Sequence, residues 1–548
     1  MRKSAGLHGA FRQSMAWLHT WSGLVFSILL YFIFVMGTFG YFTYEIDRWM
    51  KPELSSPSEF PTNESMLVSA ISYLDAETEN TRRYFIGLPT VRSNPSVSAF
   101  ANYNEPNEEG DRFFRETLDP VSGAPVGARD TNGGRGLYEM HYALHYMPYE
   151  VAYYTVGVAT LFMFLAIITG IVTHKKIFVD FFTLRLGKGQ RSWLDSHNMT
   201  SVLALPFMLM ITYSGLLFFL IQYSPGTMFL TLGLDREAVS QLNSHRNPVP
   251  EIREPTGAAA ASADIRDMMA YVQQQWPDDL IRGVEILNPG EEGSVIRIDA
   301  VNDGISRESS RKSIHFDAAG QVLTPSLQRP ADAKFLRGTL ALHEGRFANY
   351  WLRWTYFLSG LLGCSMIATG LLLWAKKRRT QLKKGMEAPR TLVFIERTNL
   401  AIIVGLPLGV ATYFWANRLL PLDIPERAAW ELDMLFIVWG LSFIHAGARE
   451  LRRAWREQVA FLAALCLLLP VVNALTSEAH LGNSLAAGDW ARAGFDLTAI
   501  VFGLVLCGVW PKLVTPNANP ARGLENLVHT SAGISAQPLT PQSRKISL

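Results

Sequence analysis

The sequence predicts a polytopic α-helical membrane protein with about eight transmembrane helices and two external α+β domains, built on a helix–domain–helix unit that occurs twice. Three observations predict it. Several apolar runs reach the roughly 18 residues or more that mark a membrane span. The basic loops between them fall on one side. Short motifs in the first half of the chain return in the same order further along.

Composition agrees with the first of these. Of 548 residues, 49% are apolar and 11% aromatic, while the net charge is only +2, which gives no general case for nucleic-acid binding. Cys364, Cys466 and Cys507 all lie in apolar runs, and no Cys-x-x-Cys-His occurs. That spacing removes covalent c-type haem, cysteine-based zinc sites and iron–sulfur clusters, and leaves any external domain without disulfides.

Arg2, Lys3 and Arg12 precede an apolar run from near Trp21 to about Tyr44. A secretory signal has a shorter core and a small-residue cleavage site. This run has the roughly 20 residues a spanning helix needs, so it reads as a retained first span. The eight spans are expected near 20–44, 151–173, 199–223, 351–374, 398–416, 430–447, 458–475 and 491–511. Lys175, Lys176, Arg185, Lys188 and Arg191 follow span two, and Lys376, Lys377, Arg378, Arg379, Lys383 and Lys384 follow span four. Arg449, Arg452, Arg453 and Arg456 follow span six. With eight spans these loops and the N-terminus share one side, the cytoplasmic one by the positive-inside rule.

The chain therefore divides into an N-terminus with span one (1–44), an external domain (45–150), spans two and three with their loop (151–223) and a second external domain (224–350). Span four with a basic segment (351–390), four appended spans (391–511) and a polar tail expected to be disordered (512–548) complete it. In the first external segment a helix is expected at Met66–Leu74 and strands at Tyr84–Ile86, Val97–Phe100 and Phe113–Leu118, before the turn Asp119-Pro120-Val121-Ser122-Gly123. The second reads alike: helix Ile265–Trp276, strands Gly283–Leu287, Val295–Ala300 and Ile314–Phe316, then Asp317-Ala318-Ala319-Gly320. Both turns carry an Asp ahead of a Gly that permits a positive φ.

The spans echo each other too. His19 and His197 lie 178 residues apart, as do Gly37 and Gly215. Thr169-Gly170 closes span two as Thr369-Gly370 closes span four, and each follows a Leu-His pair, Leu144-His145 and Leu342-His343. Parallel repeats of this kind often share a site at their interface. Spans five to eight show no such echo.

Six of the twelve histidines lie at the ends of the first four spans. His19, His174 and His197 sit at the cytoplasmic boundary; His141, His145 and His343 sit at the external one. A lone boundary His is usually an interfacial side chain. Six on four helices, paired by the repeat, point to function, because ionisable groups near a membrane core are costly. Imidazole is a common axial donor to haem, and a bis-His site needs two from facing helices. Three candidates on each face compete for two ligand places; His141 and His145, four apart, share a helix face. His8, His245, His315 and His529 read as solvated, His480 lies in a short external loop, and His445 is the best outsider. No His-Glu-x-x-His, Gly-x-Gly-x-x-Gly or Walker loop occurs, so a zinc, flavin or nicotinamide module is not legible and electrons must come from outside the chain. Arg82, Arg83 and Tyr84 could meet an anionic chelate but read first as a solvated surface.

With Trp17-Leu18-His19-Thr-Trp-Ser-Gly23, Met140-His141-Tyr-Ala-Leu-His145-Tyr-Met-Pro148, Thr169-Gly170 through His174 to Arg185, Trp193-Leu-Asp-Ser-His197-Asn198, Leu342-His343-Glu-Gly345 and Thr369-Gly370 through Trp374, the chain resembles the PepSY-associated transmembrane family of bacterial iron-regulated membrane proteins over about residues 10–380. The resemblance implies periplasmic PepSY-like domains, an inner-membrane location with a cytoplasmic N-terminus, and two haem b groups held among His19, His174, His197 and among His141, His145, His343. It also implies an oxidoreductase that reduces ferric siderophores, or another Fe(III) chelate, at the periplasmic face. The electron donor would be a quinol or a separate reductase, and a siderophore transporter could be a partner. Siderophores grip Fe(III) through hard oxygen donors and hold Fe(II) far less tightly, so reduction releases the iron. The alternative is a PepSY-domain binding or regulatory membrane protein, for example of a periplasmic protease, with structural histidines. The segment after about 390 departs from the family pattern and could dock an electron donor or a transporter.

Overall fold

A computed structural model of the chain describes residues 2–55, 60–89, 95–107, 110–174, 181, 184–185, 189–219, 237, 258–260, 263–301, 312–324, 331–383 and 385–514. Among these residues, eight helical segments are long and apolar enough to cross a membrane. The tail beyond 514, His245, His529 and the loop residues Lys175, Lys176 and Lys188 lie outside them.

Helix α1 runs over Arg2–Gly40, and its spanning part is Ala10–Gly40 rather than the expected 20–44. The chain turns at Tyr41–Phe42 into α2 (Thr43–Met50), whose Glu45, Asp47 and Arg48 end the apolar run while Ile46, Trp49 and Met50 are buried. There follow α3 (Asn63–Glu77), β1 (Thr81–Gly87), β2 (Val97–Tyr103), β3 (Phe113–Leu118), a short α4 (Gly133–Ala143) and the spans α5 (Tyr149–Thr173) and α6 (Gln190–Phe218). The second half runs α7 (Ile265–Gln275), β4 (Leu280–Leu287), β5 (Val295–Val301), β6 (Lys312–Asp317), β7 (Val322–Thr324), a short α8 (Ala331–Glu344) and the span α9 (Tyr350–Thr380). Helix α6 begins nine residues ahead of the expected 199, and there Arg185 holds the buried Asp195 by paired bonds of 2.8 and 3.0 Å.

The two external segments do not fold apart. Their strands join in one seven-stranded antiparallel sheet of order β3-β2-β1-β4-β5-β6-β7. The halves meet at β1 and β4, in register from Arg83 opposite Leu287 to Gly87 opposite Gly283. Separate domains would leave β1 and β4 as open edges, each a row of unpaired backbone groups; pairing them closes both. Helices α3 and α7 cover one face, and Met66, Leu67, Ala70, Met268, Met269 and Val272 pack with Ile86, Ile286, Ile298 and Phe316 in one core. Both expected turns form: Asp119 Oδ1 accepts from the backbone N–H of Val121 and Ser122, with Gly123 at φ +70, and Gly320 stands at φ +78 after Asp317. Two surface readings need correction. Tyr84 is buried in this core, and His315 on β6 is only 3% exposed. The β-alternation places His315 beside Arg297, and burial pushes its imidazole down to about 4.

In the membrane, α1 packs along α5 and α9, and α9 along α6. The C-terminal helices are α10 (Arg390–Ile403), α11 (Gly405–Leu419), α12 (Arg427–Ala448), α13 (Leu451–Thr476), a short α14 (Leu481–Ala486) and α15 (Trp490–Val514). The expected span at 398–416 is a broken helix, α10 and α11 together. The Tyr31 hydroxyl donates to the Ile403 carbonyl at the break, 3.1 Å away, so the interrupted ladder stays satisfied.

Candidate functional site

Four of the six boundary histidines obey one local rule. Nδ1 of His19 on α1 lies 2.8 Å from the Ala166 carbonyl on α5. Nδ1 of His197 on α6 lies 3.0 Å from the Met366 carbonyl on α9. At the end nearer the sheet, Nδ1 of His141 on α4 lies 2.7 Å from the Ile33 carbonyl on α1, and Nδ1 of His343 on α8 lies 2.9 Å from the Ile211 carbonyl on α6. A carbonyl only accepts, so each Nδ1 carries the proton and donates it. Nε2 of every ring is left with its lone pair, the ligating tautomer of imidazole.

Each approach depends on a glycine four residues beyond the accepting carbonyl: Gly170, Gly370, Gly37 and Gly215. A Cβ at these positions would stand 3.1, 3.2, 2.5 and 3.0 Å from an atom of His19, His197, His141 and His343 respectively. An added Cβ at Gly37 would force the His141 ring to shift, and at the other three it would ask the ring to give by a few tenths of an ångström. Ser214 Oγ lies 3.1 Å from His343 Nδ1 and Thr369 Oγ1 lies 3.4 Å from His197 Nδ1, next to the glycine in both cases.

The rings then pair across the helices. His19 and His197 have centroids 6.4 Å apart, and His141 and His343 6.0 Å. Two metal–imidazole bonds of about 2.0–2.1 Å plus the radius of each ring account for a separation of roughly 6 Å. Among the described residues no three of His, Cys, Asp and Glu gather to hold a metal ion. A metal held by two imidazoles alone must bring its remaining ligands with it, as a porphyrin does.

Each pair opens on a cavity. The one at the basic end holds about 440 Å³ and is lined by His19, His174, His197, Leu30, Met163 and Met208, with Lys377, Arg378 and Gln381 around it. The one at the sheet end holds about 350 Å³ and is lined by His141 and His343 with Tyr138, Tyr142, Tyr149, Tyr153 and Glu344. Both volumes fall within the roughly 300–1,000 Å³ of cofactor and ligand sites, and both linings are mainly apolar. Leu30 and Met163 line both cavities, so one layer of side chains separates them. Burial, reinforced by His141, pushes the His343 imidazole down to about 3, and burial lowers His141 as well. Both are therefore neutral near pH 7, as metal ligation requires.

The other two candidates stand apart from the pairs. His174 caps the end of α5 and lines the basic-end cavity. His145 stacks on Phe436 of α12, with centroids 5.5 Å apart and planes 13° apart. Leu144 at φ +47 and Tyr146 at φ +64 turn the backbone to either side of it. His445 is engaged by Glu457 at 2.8 Å, which Arg449 also holds. The four cradling glycines were missed as functional residues, although the Gly37/Gly215 and Thr-Gly repeats were their signal. Met163 and Leu30 carried no signal, because an apolar residue inside a span has no distinguishing pattern.

Comparison with known proteins adds two findings. The profile of the PepSY-associated TM region matches residues 16–377. It takes in all six boundary histidines and stops before α10. A protein of Pseudomonas aeruginosa, itself uncharacterised, is 23% identical over 403 residues, which cover 70% of this chain and 96% of that protein.

Proposed function

The chain belongs to the PepSY-associated TM family, and from that premise we propose that it is an inner-membrane electron carrier with two haem b groups that reduces Fe(III) chelates, ferric siderophores above all, at the periplasmic face. The observation that carries the reading is the fourfold arrangement of histidine, carbonyl and glycine, set as two imidazole pairs about 6 Å across. His19 with His197 would hold one group and His141 with His343 the other. The sheet lies on the periplasmic side and the basic loops in the cytoplasm, by the charge rule. On this reading each pair takes one histidine from each copy of a duplicated helix–domain–helix unit: His19, Ile33 and Gly37 of the first correspond to His197, Ile211 and Gly215 of the second, 178 residues on.

Haem iron supplies one-electron chemistry between Fe(III) and Fe(II). The chain's own residues set the conditions for it. The Nδ1–H donors fix ring orientation and raise the basicity of Nε2. Two imidazoles per site would leave a bound haem no free position, which suits electron transfer over binding of small gases. Lys377 and Arg378 at the basic-end cavity would supply charge for the carboxylates of a haem held there. The single layer formed by Leu30 and Met163 keeps the two sites adjacent, so that an electron would cross about 30 Å of hydrocarbon in shorter steps.

The reading is tested in sealed vesicles of known orientation, with reductant inside, a ferric siderophore outside and a membrane-impermeant Fe(II) trap outside. Fe(II) is expected to appear outside at a rate set by the amount of haem-loaded protein. A rate equal to that of protein-free vesicles would overturn it. Gly37→Ala is expected to push His141 off the Ile33 carbonyl and lower haem content by about half, one site of two. Gly440→Ala, where an added Cβ meets nothing within 4 Å, is expected to leave it unchanged. Pyridine haemochrome content per chain measures both.

A further inference from the structure

The C-terminal helices, which lie beyond the family match, grip the helix that carries His141. Helix α4 is entered through residues 129–134; Glu53 holds Arg129 Nε and Asp47 the Gly134 N–H, and further groups there are held from α11 and α12. Arg129 donates to the Asn417 carbonyl at 2.8 Å, and Asn132 Nδ2 to the Ala428 carbonyl at 2.9 Å. Arg427 donates to the Asp130 carbonyl at 2.9 Å, and the Thr131 hydroxyl donates to Glu431. At the helix start, the hydroxyl of fully buried Tyr413 donates to the Gly133 carbonyl at 2.7 Å. A Cβ on Gly136 would lie 3.4 Å from that hydroxyl and 3.6 Å from Leu432, so the first turn of α4 rests directly on α11 and α12. On the far side of His141, His145 stacks on Phe436 of α12. The ring of His141 is thus held by Ile33 of α1, while the start of its helix is held by Asp47 of α2 and by α11 and α12, and the chain just past its end rests on α12 through His145.

We infer that this module is a clamp that sets the position of His141 relative to His343, with Tyr413 as the positioning residue at the start of α4. The inference rests on the reading of His141 and His343 as an axial pair. A hydroxyl aimed at the Gly133 carbonyl sets both the height and the rotation of a helix only eleven residues long. Rotation of α4 would move the His141 ring and its Nδ1–H bond relative to His343, and hydrogen bonding to the residues that would hold a haem tunes its potential. The pair His19 and His197 lies on α1 and α6, outside the clamp.

The test uses the full-length protein and two variants, Tyr413→Phe, which removes one hydroxyl from a filled site, and Asn132→Ala, on the exposed side of the same grip. The readouts are the midpoint potential and the low-spin electron paramagnetic signal of each haem, the sheet-end haem being identified as the one lost in His343→Ala. Both variants are expected to shift the potential and signal of the sheet-end haem alone. Unchanged values for both haems in both variants would overturn the clamp, and so would equal shifts in the two haems, which mark general loosening. Absence of haem from the wild-type protein would overturn the axial-pair reading itself, and the clamp with it, whereas two haems that ignore both substitutions would overturn the clamp alone.

Discussion

His343→Ala is expected to remove one of two haems and to abolish reduction of Fe(III) chelate on the sheet side, while the basic-end haem keeps its spectrum. His343 is the only member of the four that both bonds a carbonyl, Ile211 at 2.9 Å, and sits within 3.1 Å of a hydroxyl, Ser214. Its removal leaves His141 facing an empty place, and one imidazole does not make a six-coordinate site. The same loss is expected for His141→Ala, and its mirror image for His19→Ala and His197→Ala. His145→Ala and His174→Ala are expected to keep both haems, because His145 faces Phe436 and His174 lies beside the basic-end pair rather than in it. Haem content and optical difference spectra of the six variants read the pattern directly. Loss of haem from His145→Ala with retention in His343→Ala would reverse the assignment.

Glu431→Ala is expected to be among the most destabilising single changes outside the four paired histidines. Arg427 and Glu431 are 1% and 0% exposed, and they pair with each other across one helical turn. Glu431 also accepts from Asn417 at 2.8 Å and from Thr131. Removing one partner of a buried pair leaves the other charge unmatched, which typically costs about 3–5 kcal/mol. The lower end of that range is expected, because Arg427 keeps the carbonyls of Asp130 and Asn417. Glu431→Gln keeps an acceptor for Asn417 and is expected to lose less. Thermal unfolding in detergent, followed by intrinsic fluorescence, checks both; an unchanged midpoint for Glu431→Ala would show that the pair is not what holds α12 against the entry to α4.

The membrane architecture was legible because it rests on long runs of one kind of residue. Eight apolar stretches and three clusters of Lys and Arg survive uncertainty in any one position, and the eight spans follow from them. The ends of the spans were not, since Tyr41 and Phe42 are as apolar as what precedes them, and the turn there depends on how α2 buries Trp49. The six histidines stood out by position. Choosing among them needed the partner helix and the end of α4: His141 meets Ile33 and Gly37, whereas α4 stops at Ala143, so His145 does not share its face, and no spacing encodes either. The joined sheet was hidden for a similar reason. Each half has its own alternation and its own Asp–Gly turn, while the pairing of β1 with β4 joins residues about 200 apart. The role of α10 to α15 was hidden most deeply, because the groups that hold α4 are single polar residues scattered through apolar helices.

The most direct measurement is a reduced-minus-oxidised optical spectrum of the purified full-length protein, together with haem and protein quantified on the same sample. Two b-type haems per chain with the sharp bands of low-spin, six-coordinate iron are the expected result. A protein that folds and keeps its eight helices but shows no such spectrum after haem supplementation would contradict it, and would leave the joined sheet, rather than the histidine pairs, as the working part of the molecule.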